Sequence, residues 1–139
     1  MFFGTFEHSL DEKGRMVLPS AFRADLADGG VVAPWDRCLG LWTPGEFDKV
    51  AQIVKGRIAT GEAEQDAMRV LFADARAIKP DAQGRIFILQ EHRDRTGLGR
   101  DTVVLGQFDH VEIWDKDTWR EVHGHTTPTL NRVIANLRI

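Results

Sequence analysis

One pattern is written twice in this chain, and it narrows the folds open to it more than any other feature. Residues 9–23 read SLDEKGRMVLPSAFR and residues 78–93 read IKPDAQGRIFILQEHR. At an offset of 70 residues Asp11 meets Asp81, Gly14 meets Gly84, Arg15 meets Arg85, Met16 meets Ile86, Leu18 meets Ile88 and Arg23 meets Arg93. Further along the offset becomes 72, so that Val31-Val32 meets Val103-Val104, Leu41 meets Ile113, Trp42 meets Trp114 and Phe47 meets Trp119. A two-residue insertion near RTGLGRD in the second copy accounts for the change. Two copies are too few for a solenoid. They suit a closed pseudo-symmetric pair in which each half covers the apolar face of the other.

Each copy has the same local grammar. Thr5, Glu7 and Ser9 alternate with Phe6, His8 and Leu10, the period of a half-buried strand. DEKG and DAQG then supply turn chemistry, with Asp11 and Asp81 able to accept from nearby amides and Gly14 and Gly84 able to take a positive φ. RMVLP and RIFIL restart a strand with Met16, Leu18, Ile86 and Ile88 inward. The spacing therefore predicts a β-hairpin opening each copy, with Asp and Arg at its tip. Pro80 cannot donate a ladder hydrogen bond and belongs at a strand end.

A short helical segment follows each hairpin, PSAFRADL with Pro19 at its start and LQEHRDRTGL in the second copy. Two strands come next, and then a closing helix. Thr43, Pro44 and Glu46 have the spacing of a capped helix start, and Asp115 is the expected cap of the second closing helix. The expected organisation is a first repeat over 1–60, a linking helix over 61–76, a second repeat over 77–122 and a tail over 123–139. The linker reads as amphipathic, with Ala67, Val70, Leu71 and Ala75 on the inward face. The tail reads as flexible or docked on a neighbour, and the sequence leaves that choice open.

Composition excludes several classes. With 42% hydrophobic and 28% charged residues among 139, a buried core is affordable and wholesale disorder is not expected. No apolar run approaches the ~20 residues that cross a bilayer, and MFFGTFEHSL lacks the segments of an export signal. Cys38 is the single cysteine, so no intrachain disulfide forms, which is compatible with the reducing cytosol. A formal charge of −3 argues against indiscriminate coating of nucleic acid but leaves room for a focused basic face.

The chain resembles the MraZ family of bacterial transcriptional regulators. The resemblance rests on EHSLDEKGRMVLP, DAQGRIFIL and VEIWDKDTW, and covers the chain to about Val122. It implies a mainly β fold with short helices (α+β), a pseudo-twofold swapped-hairpin β-barrel of the AbrB-like, SpoVT type made from two tandem repeats. Single-copy relatives would build that barrel as homodimers. It also implies a repressor that binds short direct repeats in double-stranded DNA upstream of the division and cell-wall gene cluster, assembled as a homo-oligomeric ring. Such a protein is expected in the cytoplasm, associated with the nucleoid, with no cofactor, no membrane partner and no enzymatic activity. The family signature falls on Asp11 with Arg15 and on Asp81 with Arg85. Leu89, where the first copy has Pro19, and the tail depart from the pattern.

Arg15 and Arg85 are the principal candidates for DNA contact, because a guanidinium offers a rigid fork suited to guanine O6/N7 or to phosphate. A salt bridge to Asp11 or Asp81 is the structural alternative, and the two roles are compatible. Lys13 is a candidate phosphate contact, and its counterpart Gln83 offers hydrogen bonds without charge. Asp11, Asp81, Gly14 and Gly84 are expected to orient the hairpin tips. Arg23 and Arg93 read as solvated helix residues or additions to a basic surface. The tryptophans read as core, except Trp35, which follows Pro34 in a loop-like stretch and is a candidate subunit contact. His123 and His125 lack the rest of a zinc set, and no metal site is expected.

Two other functions compete with this one. Asp11 and Asp81 could pair as the carboxylates of an aspartic protease do, but the Arg four positions after each favours its ionised form and works against a shared proton. An antitoxin-like or other interaction scaffold on the same barrel would need an arm to wrap its partner, and the tail is the one candidate.

Overall fold

A computed structural model describes residues 1–138, without the side chain of Thr126, and so leaves the last residue of the expected tail, Ile139, outside the described residues. The first half supplies β1 (Thr5–Ser9), β2 (Arg15–Val17), α1 (Ser20–Leu26), β3 (Gly30–Trp35), β4 (Cys38–Trp42) and α2 (Pro44–Ala59). Helix α3 (Gln65–Asp74) leads into β5 (Arg76–Ile78), β6 (Arg85–Phe87), α4 (Gln90–Thr96), β7 (Asp101–Gly106), β8 (Val111–Asp115) and α5 (Lys116–Leu137).

The strands form a six-stranded antiparallel sheet, β1-β7-β8-β4-β3-β5, and a two-stranded ribbon, β2-β6. Exchange each strand for its counterpart in the other half, and the sheet order simply reverses. A pseudo-twofold axis therefore passes between β4 and β8, where Gly40 faces Glu112, and between β2 and β6, where Met16 faces Ile86. The repeat found in the sequence is a repeat of structure, and the α+β fold with halves exchanged across an axis is the one expected.

One local expectation needs correction. β1 and β2 are joined by a tight turn, but they do not pair as a hairpin: β1 pairs with β7, β5 with β3, and β2 with β6. A lone two-stranded hairpin is marginal in water. Crossing to the other half lets Met16, Leu18, Ile86 and Ile88, none more than 1% exposed, close over one core shared with Phe22, Val104 and Ile113. Each such side chain contributes about 1.5–3 kcal/mol on burial.

The helix starts follow the sequence. Thr43 Oγ1 accepts from the Glu46 N–H at 3.3 Å, and Asp115 Oδ2 from the Thr118 N–H at 3.4 Å. Leu89 adopts φ −59°, ψ 146°, close to the −50°, 135° of Pro19, so the departure at this position leaves the turn unchanged. Helix α3 differs from expectation. Leu71 and Ala75 pack against Trp42 and Phe47, but Ala67 and Val70 are exposed. The helix touches the body along a narrow edge, and no residue of it is fully buried. Helix α5 runs on through residues 123–137, with Pro128 inside it. Trp35 is the last residue of β3 rather than a loop residue, edge-on to Trp42 at 5.1 Å.

The N-terminus crosses the end of β7. Phe2 exchanges two backbone hydrogen bonds with Phe108, and Gly106 N–H donates to the Gly4 carbonyl at 2.8 Å. A Cβ on Gly106 would lie 2.3 Å from the Phe3 nitrogen. The close approach seats Phe2, 2% exposed, edge-on to Phe22 at 5.4 Å.

Candidate nucleic-acid interface

The β2-β6 ribbon lies on the pseudo-axis, and alternation sorts its residues cleanly. Met16 and Ile86 face the core, while Arg15, Val17, Arg85 and Phe87 face outward. Arg15 lies opposite Phe87 and Arg85 opposite Val17. The two arginines are therefore diagonal neighbours on one face, about 7–8 Å apart at their backbones. Two further hydrogen bonds, Leu18 N–H to the Gly84 carbonyl at 2.9 Å and Ile88 N–H to the Gly14 carbonyl at 2.8 Å, clamp the ribbon at its ends.

Both turns are built alike. Asp11 Oδ1 accepts from the backbone N–H groups of Lys13 and Arg15, each at 2.9 Å, and Oδ2 accepts from Arg15 Nε at 3.0 Å. Asp81 repeats this with Gln83, Arg85 and Arg85 Nε, the last at 2.8 Å. Gly14 and Gly84 take φ of +79° and +75°, which the turn requires and which L-residues rarely adopt. The aspartates thus spend one oxygen on turn amides and the other on steering a guanidinium. The η nitrogens of Arg15 and Arg85 keep no hydrogen-bond partner among the described residues, and the side chains are 34% and 30% exposed. The salt bridge and an outward-facing cation coexist. Lys13 and Gln83 lie exposed on the turns.

Arg23 and Arg93 are neither plain solvated residues nor part of that outward row. Each reaches over the turn glycine of the opposite half. A Cβ on Gly84 would lie 2.7 Å from Arg23 Nε, and one on Gly14 would lie 2.9 Å from Arg93 Cζ. Arg23 Nε also donates to the Leu18 carbonyl at 3.0 Å. Sequence reasoning missed this cross-half packing. The available signal was that glycine and arginine recur together at the same offset in both copies.

The Arg15 backbone N–H, against a smaller cost of desolvation, holds the Asp11 carboxyl below the ordinary carboxylate range, with help from the Arg15 side chain and the Lys13 N–H. Asp81 is lowered by the equivalent groups of Arg85 and Gln83. A depressed folded pKa gives stability that is present above the unfolded value, about 3.9, and lost as pH falls through the folded one. Neutral and mildly acidic buffers should therefore leave both turns intact. Below about pH 4 the Lys13 and Gln83 amide resonances should move together in a pH titration. An Asp11→Asn/Asp81→Asn variant should lack that step; an unchanged step would show that other carboxylates cause it.

Among the described residues no group of three or more acidic, His or Cys side chains could hold a metal, and no helix is long and apolar enough to cross a membrane. His123 stacks on Trp119 at 5.0 Å.

A family model described as "MraZ protein, putative antitoxin-like" matches residues 1–67 and 71–126. A protein of Thermobifida fusca named "Transcriptional regulator MraZ" is 43% identical over 122 residues, 87% of this chain and 85% of its own. Proteins of the same name from Salinispora arenicola and Clavibacter michiganensis are each 42% identical, over 86% and 87% of this chain and 84% and 85% of theirs.

Proposed function

The chain belongs to the MraZ family, and on that premise we propose that it is a sequence-specific, DNA-binding transcriptional regulator. One observation carries the reading: Arg15 and Arg85 share the outward face of a two-stranded ribbon, each aimed by its own aspartate with its η nitrogens unspent. A two-stranded ribbon fits the major groove, and a guanidinium fork matches the acceptor edge of guanine. Lys13 and Gln83, on the flanking turns, would reach the phosphates. Asp11, Asp81, Gly14 and Gly84 fix the tips. The relatives are named as regulators, which agrees with a non-enzymatic role.

In this reading residues 1–60 and 77–122 form one reading unit, joined by 61–76. Subunits close head to tail into a ring, and the ring sits on short direct repeats upstream of the division and cell-wall gene cluster, repressing it. Avidity then sums contacts that are weak one by one. Such a protein works in the cytoplasm, on the nucleoid.

Footprinting on DNA upstream of this protein's own gene tests the reading. Regularly spaced protection is expected, and log affinity should fall with log salt at a slope of about −0.9 per phosphate neutralised. A flat salt response, or protection no better than on unrelated DNA, would end it.

A further inference from the structure

The two halves differ in chemistry at one corner. In the first half Phe6 of β1 meets Phe22 of α1 edge to face at 5.2 Å, and Phe2 closes on Phe22 at 5.4 Å. Phe6 lies opposite Val104 in the ladder, and the matching ladder of the second half places Arg76 opposite Val32. His92 of α4 stands where α1 has Phe22. The counterpart of Phe2 is Phe72, whose ring lies against Phe47 at 6.0 Å instead. A corner filled by three phenylalanines in one half is thus built from a cation, an imidazole and a ring turned elsewhere in the other. The second corner holds a cleft of about 330 Å³, lined by Val32, Arg76, Ile78, Lys79, Phe87 and His92 among others.

His92 gives the cleft its chemistry. It is 2% exposed, and its Nε2 lies 2.6 Å from the Asp74 carbonyl oxygen. A carbonyl only accepts, so Nε2 is the nitrogen that donates, and in the tautomer with its one proton there Nδ1 offers a lone pair. Nδ1 is buried and has no hydrogen-bond partner among the described residues. Buried polar atoms are rarely left so, because an unpaired one is costly. At the rim, Lys79 is exposed and makes no ion pair among the described residues. Arg76 donates to the Ala73 and Ala75 carbonyls and to Glu91, which fixes its guanidinium beside the cleft.

We propose that this cleft binds a small flat anion that carries an N–H donor: the apolar body lies between Val32, Ile78 and Phe87, the donor meets His92 Nδ1, and the negative end meets Lys79 and Arg76. The volume is at the lower end of small-molecule sites, which suits a metabolite of one or two rings. Phe87 is also the ladder partner of Arg15, so an occupant would touch a neighbour of a proposed DNA contact. Any effect on DNA rests on the reading above; binding itself does not.

The test uses the full chain labelled with nitrogen-15 at histidine, and indole-2-carboxylate as the probe. Saturable movement of the His92 Nδ1 resonance is expected, with a Kd below about 1 mM. Indole, which lacks the carboxylate, and 1-methylindole-2-carboxylate, which lacks the N–H, should each bind at least about tenfold more weakly. His92→Phe and Lys79→Ser import the first half's own residues at these positions. The first should abolish binding and the second weaken it about tenfold. If His92→Phe fails to fold, Lys79→Ser, at an exposed position, carries the test. No saturable shift by about 10 mM probe, or wild-type affinity in Lys79→Ser, would overturn the assignment. Because the readout is a ring nitrogen rather than DNA, failure here and failure of the DNA reading are seen separately.

Discussion

Replacing Arg15 and Arg85 together with alanine should abolish operator protection while leaving the fold in place. Each good guanidinium–base pair is worth about 1–3 kcal/mol, so two per subunit amount to about 2–6 kcal/mol, or roughly 30-fold to 10⁴-fold in affinity. Several subunits on repeated sites would compound the loss. Stability should change little, because both side chains are partly exposed and Asp11 and Asp81 keep their backbone N–H partners in the variant. Thermal melting and footprinting on the same sample read the two quantities. The Arg15→Lys/Arg85→Lys variant refines the result: it keeps the charge and loses the fork. It should retain salt-dependent binding to any duplex and lose preference for the operator. Unchanged protection in the alanine double variant would move the interface off the ribbon.

Gly106→Ala should be the most damaging small substitution. A Cβ there would meet backbone atoms, at 2.3 Å from Phe3 N and 2.4 Å from the Phe2 carbonyl carbon, and no rotamer change relieves that. The N-terminal segment would have to lift, breaking its bonds to Gly106 and Phe108 and withdrawing Phe2 from Phe22. Unseating a buried phenylalanine costs about 3–5 kcal/mol, comparable with a large share of the stability of a domain this size. Gly45, where a Cβ would meet nothing, is the control: Gly45→Ala should be neutral or slightly stabilising. Equal denaturation midpoints for the two variants would show that the N-terminal segment contributes nothing to the fold.

The sequence carries what depends on neighbours along the chain. Asp, then Gly three residues on and Arg four on, encodes a turn whose carboxylate caps the amides and steers the guanidinium, and both turns are built that way. Alternation tells which side chains of β2 and β6 point inward. It cannot tell which strand pairs with which, because a period of two fixes a face and says nothing of the partner. Local pattern therefore predicts an opening hairpin where the strands in fact cross to the other half. The reach of Arg23 over Gly84 and of Arg93 over Gly14 is hidden for the same reason. The edge-on contact of α3 is not legible because the pattern names an apolar face, and the neighbouring surface alone decides how much of that face is covered. At the second corner, His92 in place of Phe22 is a bare difference between the copies until the ladder shows what surrounds it.

The exchanged ladders also set an order of events during synthesis. Thr5 pairs with Leu105 and Ser9 with Asp101, so the first strand to leave the ribosome has no ladder partner until most of the chain has followed. Contacts this remote slow folding towards the millisecond-to-second range, since the long loop must close before anything rewards it. A nascent first half carries open edges and an uncovered apolar face for that whole interval. The same interdependence means that a gene cut within the linker should yield two fragments, neither of which closes its core as a single copy, and mixing them should recover the far-ultraviolet signature of the intact chain.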